Sequence, residues 1–141
     1  MLLKDQIVLV TGASRGIGRA VADTLAGHGA TVVGTATSDK GAAAISDKLA
    51  AAPVPGTGMK LDVTKADEVS SVVAAITEQY GPVSVLVNNA GITRDNLFMR
   101  MKDDEWDDII DTNLSAIFRV TKACIKPVSY THLTLPTICS V

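Results

Sequence analysis

The stretch Thr11–Gly18 reads TGASRGIG: three glycines, a serine and an arginine, and no acid. It follows the apolar run QIVLV and precedes a segment with helical spacing. Backbone N–H groups at a helix start lack intrahelical partners, and the helix dipole favours negative charge there. Glycines let such a backbone approach a ligand closely and take positive φ. The expected guest of this loop is a pyrophosphate. Its spacing, Gly12, Gly16, Gly18, is G-x-x-x-G-x-G, not the commoner G-x-G-x-x-G. Three glycines alone also suit a ligand-free turn; the order strand, loop, helix is what favours a phosphate site.

The second β-branched run, ATVVGTA, ends near Thr35 or Ala36. A carboxylate at that end would bond an adenosine ribose and repel a 2′-phosphate. The residues there are Thr35, Ala36, Thr37 and Ser38, and Asp39 falls in the first turn of the next helix. Hydroxyls with Arg15 reaching across suit a phosphate, so NADP(H) is preferred over NAD(H). Further along, Asn88 and Asn89 follow the run VSVLV. Asn113 lies three residues after Ile110, four after Ile109 and seven after Trp106, which places it on an apolar helix face. A buried amide needs partners, because an unpaired one costs about 1–3 kcal/mol. Catalytic and purely structural roles both fit these asparagines.

The elements that position these residues alternate. QIVLVT is a buried strand, and Gly16 to His28 a helix with Ile17, Ala20, Val21, Thr24 and Leu25 at helical spacing. The second strand leads to a helix that Ser38 caps and Pro53 follows. PVPGTG is turn material and MKLDV a third strand. Thr64 with Asp67 looks like a capping box, ahead of a helix whose apolar face is Val69, Val72, Val73 and Ile76. Gly81 and Pro82 break that helix, and VSVLVNN is a fourth strand. A long helix then runs from about Asp103 to about Lys126, with Trp106, Ile109, Ile110, Leu114 and Ile117 on one side. Nearly continuous apolar strands alternating with helices imply an α/β fold, a doubly wound parallel sheet with helices on both faces. The strand order expected is 3-2-1-4.

With 141 residues the chain is long enough for one domain with a core of its own. A net charge of −2 gives no general reason to bind nucleic acid or an anionic membrane. No apolar stretch is long enough to span a bilayer, and Lys4 and Asp5 stand where a signal peptide would need its apolar segment, so none is expected. Cys124 and Cys139 have neither metal-ligand nor redox spacing, so the expected compartment is a reducing cytoplasm.

In the order TGASRGIG, LDV, NNAG and DTNLSAIF, the chain resembles the short-chain dehydrogenase/reductase family. GTATSDKGAAAISDKL and NNAGITRDNLFMRMKDDEWDDIIDTNLS resemble its 3-oxoacyl-[acyl-carrier-protein] reductase subgroup. The resemblance runs from Leu3 to about Lys126, a Rossmann-like domain over 1–126. It implies that Gly12, Ser14, Arg15, Gly16, Ile17 and Gly18 hold the phosphates of NADPH and that Thr37 sits beside the 2′-phosphate. It implies that Asp62 and Val63 flank the adenine, that Asn89, Ala90 and Gly91 line the cofactor crevice, and that Asn113 belongs to the catalytic set. It further implies an acyl-carrier-protein thioester substrate, a cytoplasmic location and a homotetrameric full-length protein. Other readings stay open: another ketoreductase, such as one acting on acetoacetyl-CoA, or a nucleotide-binding module without catalysis. Only ITRDNLFMRM separates the first two, and it favours the carrier-protein substrate.

The family's reduction also calls for a serine and a Tyr-x-x-x-Lys pair. A tyrosine of pKa near 10 needs a neighbouring cation to give up its proton easily at neutral pH. This chain has two tyrosines; Tyr80 is followed four residues later by Ser84, and Tyr130 by Thr134. The fragment is therefore expected to be inactive as a reductase. From Pro127, expected to end the long helix, residues 127–141 resemble a translated sequencing adapter, CCT GTC TCT TAT ACA CAT CT reading Pro-Val-Ser-Tyr-Thr-His-Leu. They are expected to lie outside the fold, leaving the fourth strand as an unpaired edge prone to aggregation; the alternative is a divergent C-terminus with a β-strand followed by disorder.

Overall fold

The computed structural model describes residues 2–91, 102–131 and 136–140. The stretch Ile92–Met101, on which the substrate preference turned, lies outside the described residues. The chain runs β1 (Ile7–Val10), α1 (Gly16–Gly27), β2 (Thr31–Ala36), α2 (Asp39–Leu49), β3 (Thr57–Lys60), α3 (Ala66–Gln79) and β4 (Val85–Asn88). It continues with α4 (Asp103–Ile109), a π-helical segment (Ile110–Ser115), α5 (Ala116–Thr131) and β5 (Thr137–Ser140).

The strands form one sheet in the order β3-β2-β1-β4-β5. All four pairings are parallel. Leu9 is paired with Val33 on one side and Leu86 on the other. Because successive side chains point to opposite faces, each central strand feeds two cores. Val8, Val10, Val32 and Val87 pack with α1 and α2 through Ala22, Ala26, Ile45 and Leu49. Leu9, Val33 and Leu86 pack with α3 and α5 through Val69, Val73, Ile76, Val120 and Cys124. The sheet is thus covered on both faces, as continuous apolar strands require. Among the described residues, no helix is long and apolar enough to cross a membrane.

Several sequence expectations need correction. The buried stripe of α1 is Gly18, Ala22 and Ala26, while Ile17 is 61% exposed. Small residues face the sheet because the helix start must come close to the glycine loop; the bulkier Val21 and Leu25 pack only partly. β3 lies at Thr57–Lys60, not at MKLDV: these residues pair with Val33–Ala36, and at Gly58 the backbone of α2 comes so close that a Cβ would overlap Ala42 O. Thr64 is no helix cap: Lys65 holds the N-cap position of α3, with no side-chain cap bond. The expected long helix is interrupted by the π segment, and α4 has no buried residue. The wider π turn rotates the buried face, which falls on Ala116, Val120 and Cys124; Trp106 and Leu114 are exposed.

Pro127 does not end this helix, since α5 continues to Thr131. A proline removes one i→i−4 bond, and the remaining turns hold the helix together. Nor is β4 an edge. β5 pairs with it from Val85↔Thr137 to Asn88↔Ser140, giving a sheet of five strands where four were expected. The bond from Thr137 N to Ser84 O, at 2.8 Å, starts the pairing. The β5 residues are exposed and join neither core, so main-chain bonding is what holds this strand.

Candidate functional site

At the carboxyl ends of β1, β2, β3 and β4 the chain turns out of the sheet, and the four turns surround one cleft of about 640 Å³. The first wall is the glycine loop, through Gly12, Ser14, Arg15 and Gly16. Gly12 and Gly16 have φ of +66° and +62°, which an L side chain resists. No atom lies within 4 Å of a Cβ built on Gly16, so that corner opens to the cleft. Arg15 is the N-cap of α1 and makes no side-chain cap bond, and the first turn holds no acid. The first amides of α1 therefore have neither a side-chain cap nor a carboxylate competing with an incoming anion.

The second wall is Ala36 and Thr37 at the end of β2. Thr37 is exposed on the same cleft as Arg15. Asp39 lies in the first turn of α2, and Ser38 caps that helix, its Oγ accepting from Gly41 N at 3.0 Å. The third wall is Leu61–Thr64. Asp62 Oδ1 accepts from Thr64 Oγ1 at 2.6 Å and from Thr64 N at 3.0 Å. The hydroxyl of Thr64, chiefly, holds the Asp62 carboxyl below its ordinary value. Leu61 and Val63 are buried and anchor the turn.

The fourth wall is Asn89, Ala90 and Gly91. Asn89 Nδ2 donates to Gly12 O at 2.9 Å, tying this turn to the glycine loop. Gly18 sits directly behind that bond: a Cβ there would overlap Gly12 O and Asn89 Nδ2. Gly18 therefore serves as a packing surface and does not line the cleft. Ile17, exposed, does not line it either. Asn113, in the π segment, stands against Gly91; a Cβ on Gly91 would meet Asn113 Oδ1 at 2.7 Å. Asn88 turns the other way, its Nδ2 3.5 Å from Thr121 Oγ1 on α5.

Thr11 and Asp108 have no assigned role in the sequence, and Thr35, expected there as a hydroxyl for the phosphate, is instead buried against the glycine loop. The buried Thr11 Oγ1 accepts from Asn89 N and Ala90 N, each at 3.0 Å, and locks the fourth wall to β1. Thr35 Oγ1 accepts from Gly12 N at 3.3 Å. Asp108 of α4 lines the cleft. A hydroxyl at the last turn of a strand, just before a glycine loop, was the available signal for Thr11. Among the described residues no group of His, Cys, Asp and Glu is placed to hold a metal.

A parallel sheet with this strand order and a glycine-loop cleft at the carboxyl ends of its strands is the arrangement of a Rossmann-like fold. The family model for short chain dehydrogenases matches residues 6–132, and the chain belongs to that family. It is similar to "3-oxoacyl-[acyl-carrier-protein] reductase FabG" of Escherichia coli (strain K12), 59% identical over 126 residues, which cover 89% of this chain and 50% of the relative. The protein of the same name from Vibrio harveyi is 56% identical over 126 residues, 89% of this chain and 50% of the relative. That of Pseudomonas aeruginosa (strain PAO1) is 49% identical, covering 89% of this chain and 51% of the relative. The chain spans about half the length of these relatives.

Proposed function

We propose that this chain is the cofactor-binding portion of an NADPH-dependent oxidoreductase that reduces 3-oxoacyl-[acyl-carrier-protein] thioesters in fatty-acid biosynthesis. The observation that carries this is the single cleft shared by the glycine loop, Thr37, Asp62–Val63 and Asn89–Gly91. These residues fit a dinucleotide phosphate. The amides of α1 and the open corner at Gly16 take the pyrophosphate. Arg15 and Thr37 take the 2′-phosphate, a guanidinium and a hydroxyl where a carboxylate would repel it. Asp62 offers an acceptor to the adenine amino group, and Val63 closes the apolar side. Gly91 and Asn113 define the end of the cleft that faces the chemistry. When bound, the cofactor supplies a hydride to the substrate ketone. Asn113 holds a water of the proton relay, its position fixed against Gly91. The proposed setting is a cytoplasmic homotetramer that binds an acyl-carrier-protein thioester and no nucleic acid.

One sequence observation favours a second reading. With no Tyr-x-x-x-Lys, the chain as written binds a dinucleotide without turning it over. Residues 127–141 are proposed to be adapter-derived, on the codon match; β5 is compatible with this, since its pairing rests on main-chain bonds. The test is to read the source DNA past the codon for Lys126 without that adapter, then assay the encoded protein with NADPH and an acyl-carrier-protein 3-oxothioester. A downstream serine and Tyr-x-x-x-Lys with NADPH oxidation support the reductase. The same tail and a stop, with binding and no turnover, support the module.

A further inference from the structure

We propose that Arg119 is a positioning residue for the adenine side of the cleft: its guanidinium holds the carbonyl of Val63, and with it the Asp62–Thr64 turn, against α5. The inference rests on the cofactor reading above. Arg119 Nη1 donates to Val63 O at 2.8 Å across 56 residues of sequence, and the side chain is half-buried. Other bonds shaping this turn are short-range. Thr64 bonds Asp62, Lys65 N donates to Asp62 O at 3.0 Å, and Asp62 N lies 3.4 Å from Glu68 Oε1. Such bonds fix the shape of the turn; its place against the sheet and α5 is set by the buried Leu61 and Val63 and by the Arg119 bond. On the β2 side Leu61 N donates to Ala36 O at 2.8 Å, which fixes where the turn begins. Arg119 fixes where it ends, just before the chain enters α3.

A charged donor on a carbonyl makes a bond roughly twice as strong as a neutral pair, and the planar guanidinium keeps its aim where an ammonium would not. The same positive charge favours the ionised carboxylate of Asp62. Thr64 engages only Oδ1 of that carboxylate, and among the described residues nothing donates to Oδ2. That leaves Oδ2 for a donor in the cleft. The helix that carries Arg119 follows directly on the segment holding Asn113. One continuous stretch of helix thus braces the adenine end and the reactive end of the cleft.

The test compares the unchanged chain with Arg119→Met and Arg119→Lys. Fluorescence titration gives the Kd of NADPH and of reduced nicotinamide hypoxanthine dinucleotide phosphate, in which a 6-oxo group and N1–H replace the adenine amino group and N1 acceptor. Amide exchange at residues 62–65 is followed without cofactor. Arg119→Met should raise the Kd of NADPH about tenfold, the equivalent of one lost charged hydrogen bond. It should also erase the preference for adenine over hypoxanthine and speed exchange at 62–65 but not in β1. Arg119→Lys should recover part of the preference. Unchanged NADPH affinity, or equal weakening of both dinucleotides with the preference kept, would overturn the proposal. If the unchanged chain binds neither dinucleotide, the cofactor reading falls. The tether is then decided by exchange alone, and unaltered rates at 62–65 overturn it.

Discussion

Gly18 is the glycine of the loop that no ligand needs to touch, and Gly18→Ala should be more damaging than Gly16→Ala or Gly27→Ala. A Cβ there would overlap Gly12 O and Asn89 Nδ2, which are bonded to each other at 2.9 Å. Backbone on one side and a pinned amide on the other leave no flexible group to yield. Overpacking of this kind costs about 1–3 kcal/mol. Breaking the Asn89–Gly12 bond adds about 0.5–1.5 kcal/mol. Gly18→Ala should therefore destabilise the fold by about 2–4 kcal/mol. With 141 residues, the unfolding entropy is about 0.3 kcal/mol/K, so the melting temperature should fall by about 7–13 °C. Two controls separate crowding from backbone strain. Gly16 has open space but φ of +62°, so Gly16→Ala should cost only about 1–2 kcal/mol of strain. Gly27 has open space and no positive φ, so Gly27→Ala should be neutral or stabilising. Thermal unfolding followed by far-UV circular dichroism gives all three. A Gly18→Ala chain as stable as its parent, or less affected than Gly16→Ala, would refute the packing argument.

Thr11→Val removes the acceptor of two main-chain amides and should cost about 2–4 kcal/mol in urea unfolding, whereas Thr11→Ser should stay near the parent. Cys124 is buried, which pushes its thiol up to about 12, while Cys139 is exposed. An alkylating reagent at neutral pH should label Cys139 promptly and Cys124 only at the rate of global unfolding. Because the folded pKa of Cys124 is raised from 9.0, its contribution to stability is intact below pH 9.0 and is lost as pH rises toward about 12. Cys124→Ala should flatten that alkaline slope. Asp62 has the opposite sign: its lowered pKa contributes stability above pH 3.8 that is lost as pH falls through the folded value. Asp62→Asn should remove that part of the acid dependence, measured as the denaturation midpoint against pH.

Much of this architecture is written in hydrophobic periodicity. QIVLV, TVVGTA and VLVN are apolar on both faces, which only a doubly covered parallel sheet accommodates, and the order 3-2-1-4 followed. Where the reading slipped, a tertiary contact outweighed a local pattern. LDV looks like the strand, but β3 pairs through Thr57–Lys60 and leaves Leu61 and Val63 buried in a turn. On α1 the larger residues looked like the buried face, yet close approach to the loop selects Gly18, Ala22 and Ala26. A 3.6-residue period cannot reveal a π turn, so the apolar helix face expected around Asn113 was misplaced; Asn113 stands against Gly91. β5 corresponds only to the alternative reading of the tail, because TICS is short, exposed on both faces and held by main-chain bonds, which leave no trace in side-chain pattern. The cleft was legible because glycine, hydroxyl and amide residues at strand ends have few other reasons to gather there.

The most direct test of the central claim is calorimetric titration of this 141-residue chain with NADPH and, separately, with NADH. NADPH should bind saturably at 1:1 and at least about tenfold tighter than NADH, the worth of one well-placed charged contact to the 2′-phosphate. The difference should vanish in Arg15→Ala. Equal affinity for the two cofactors, or binding of neither by a folded chain, would contradict it.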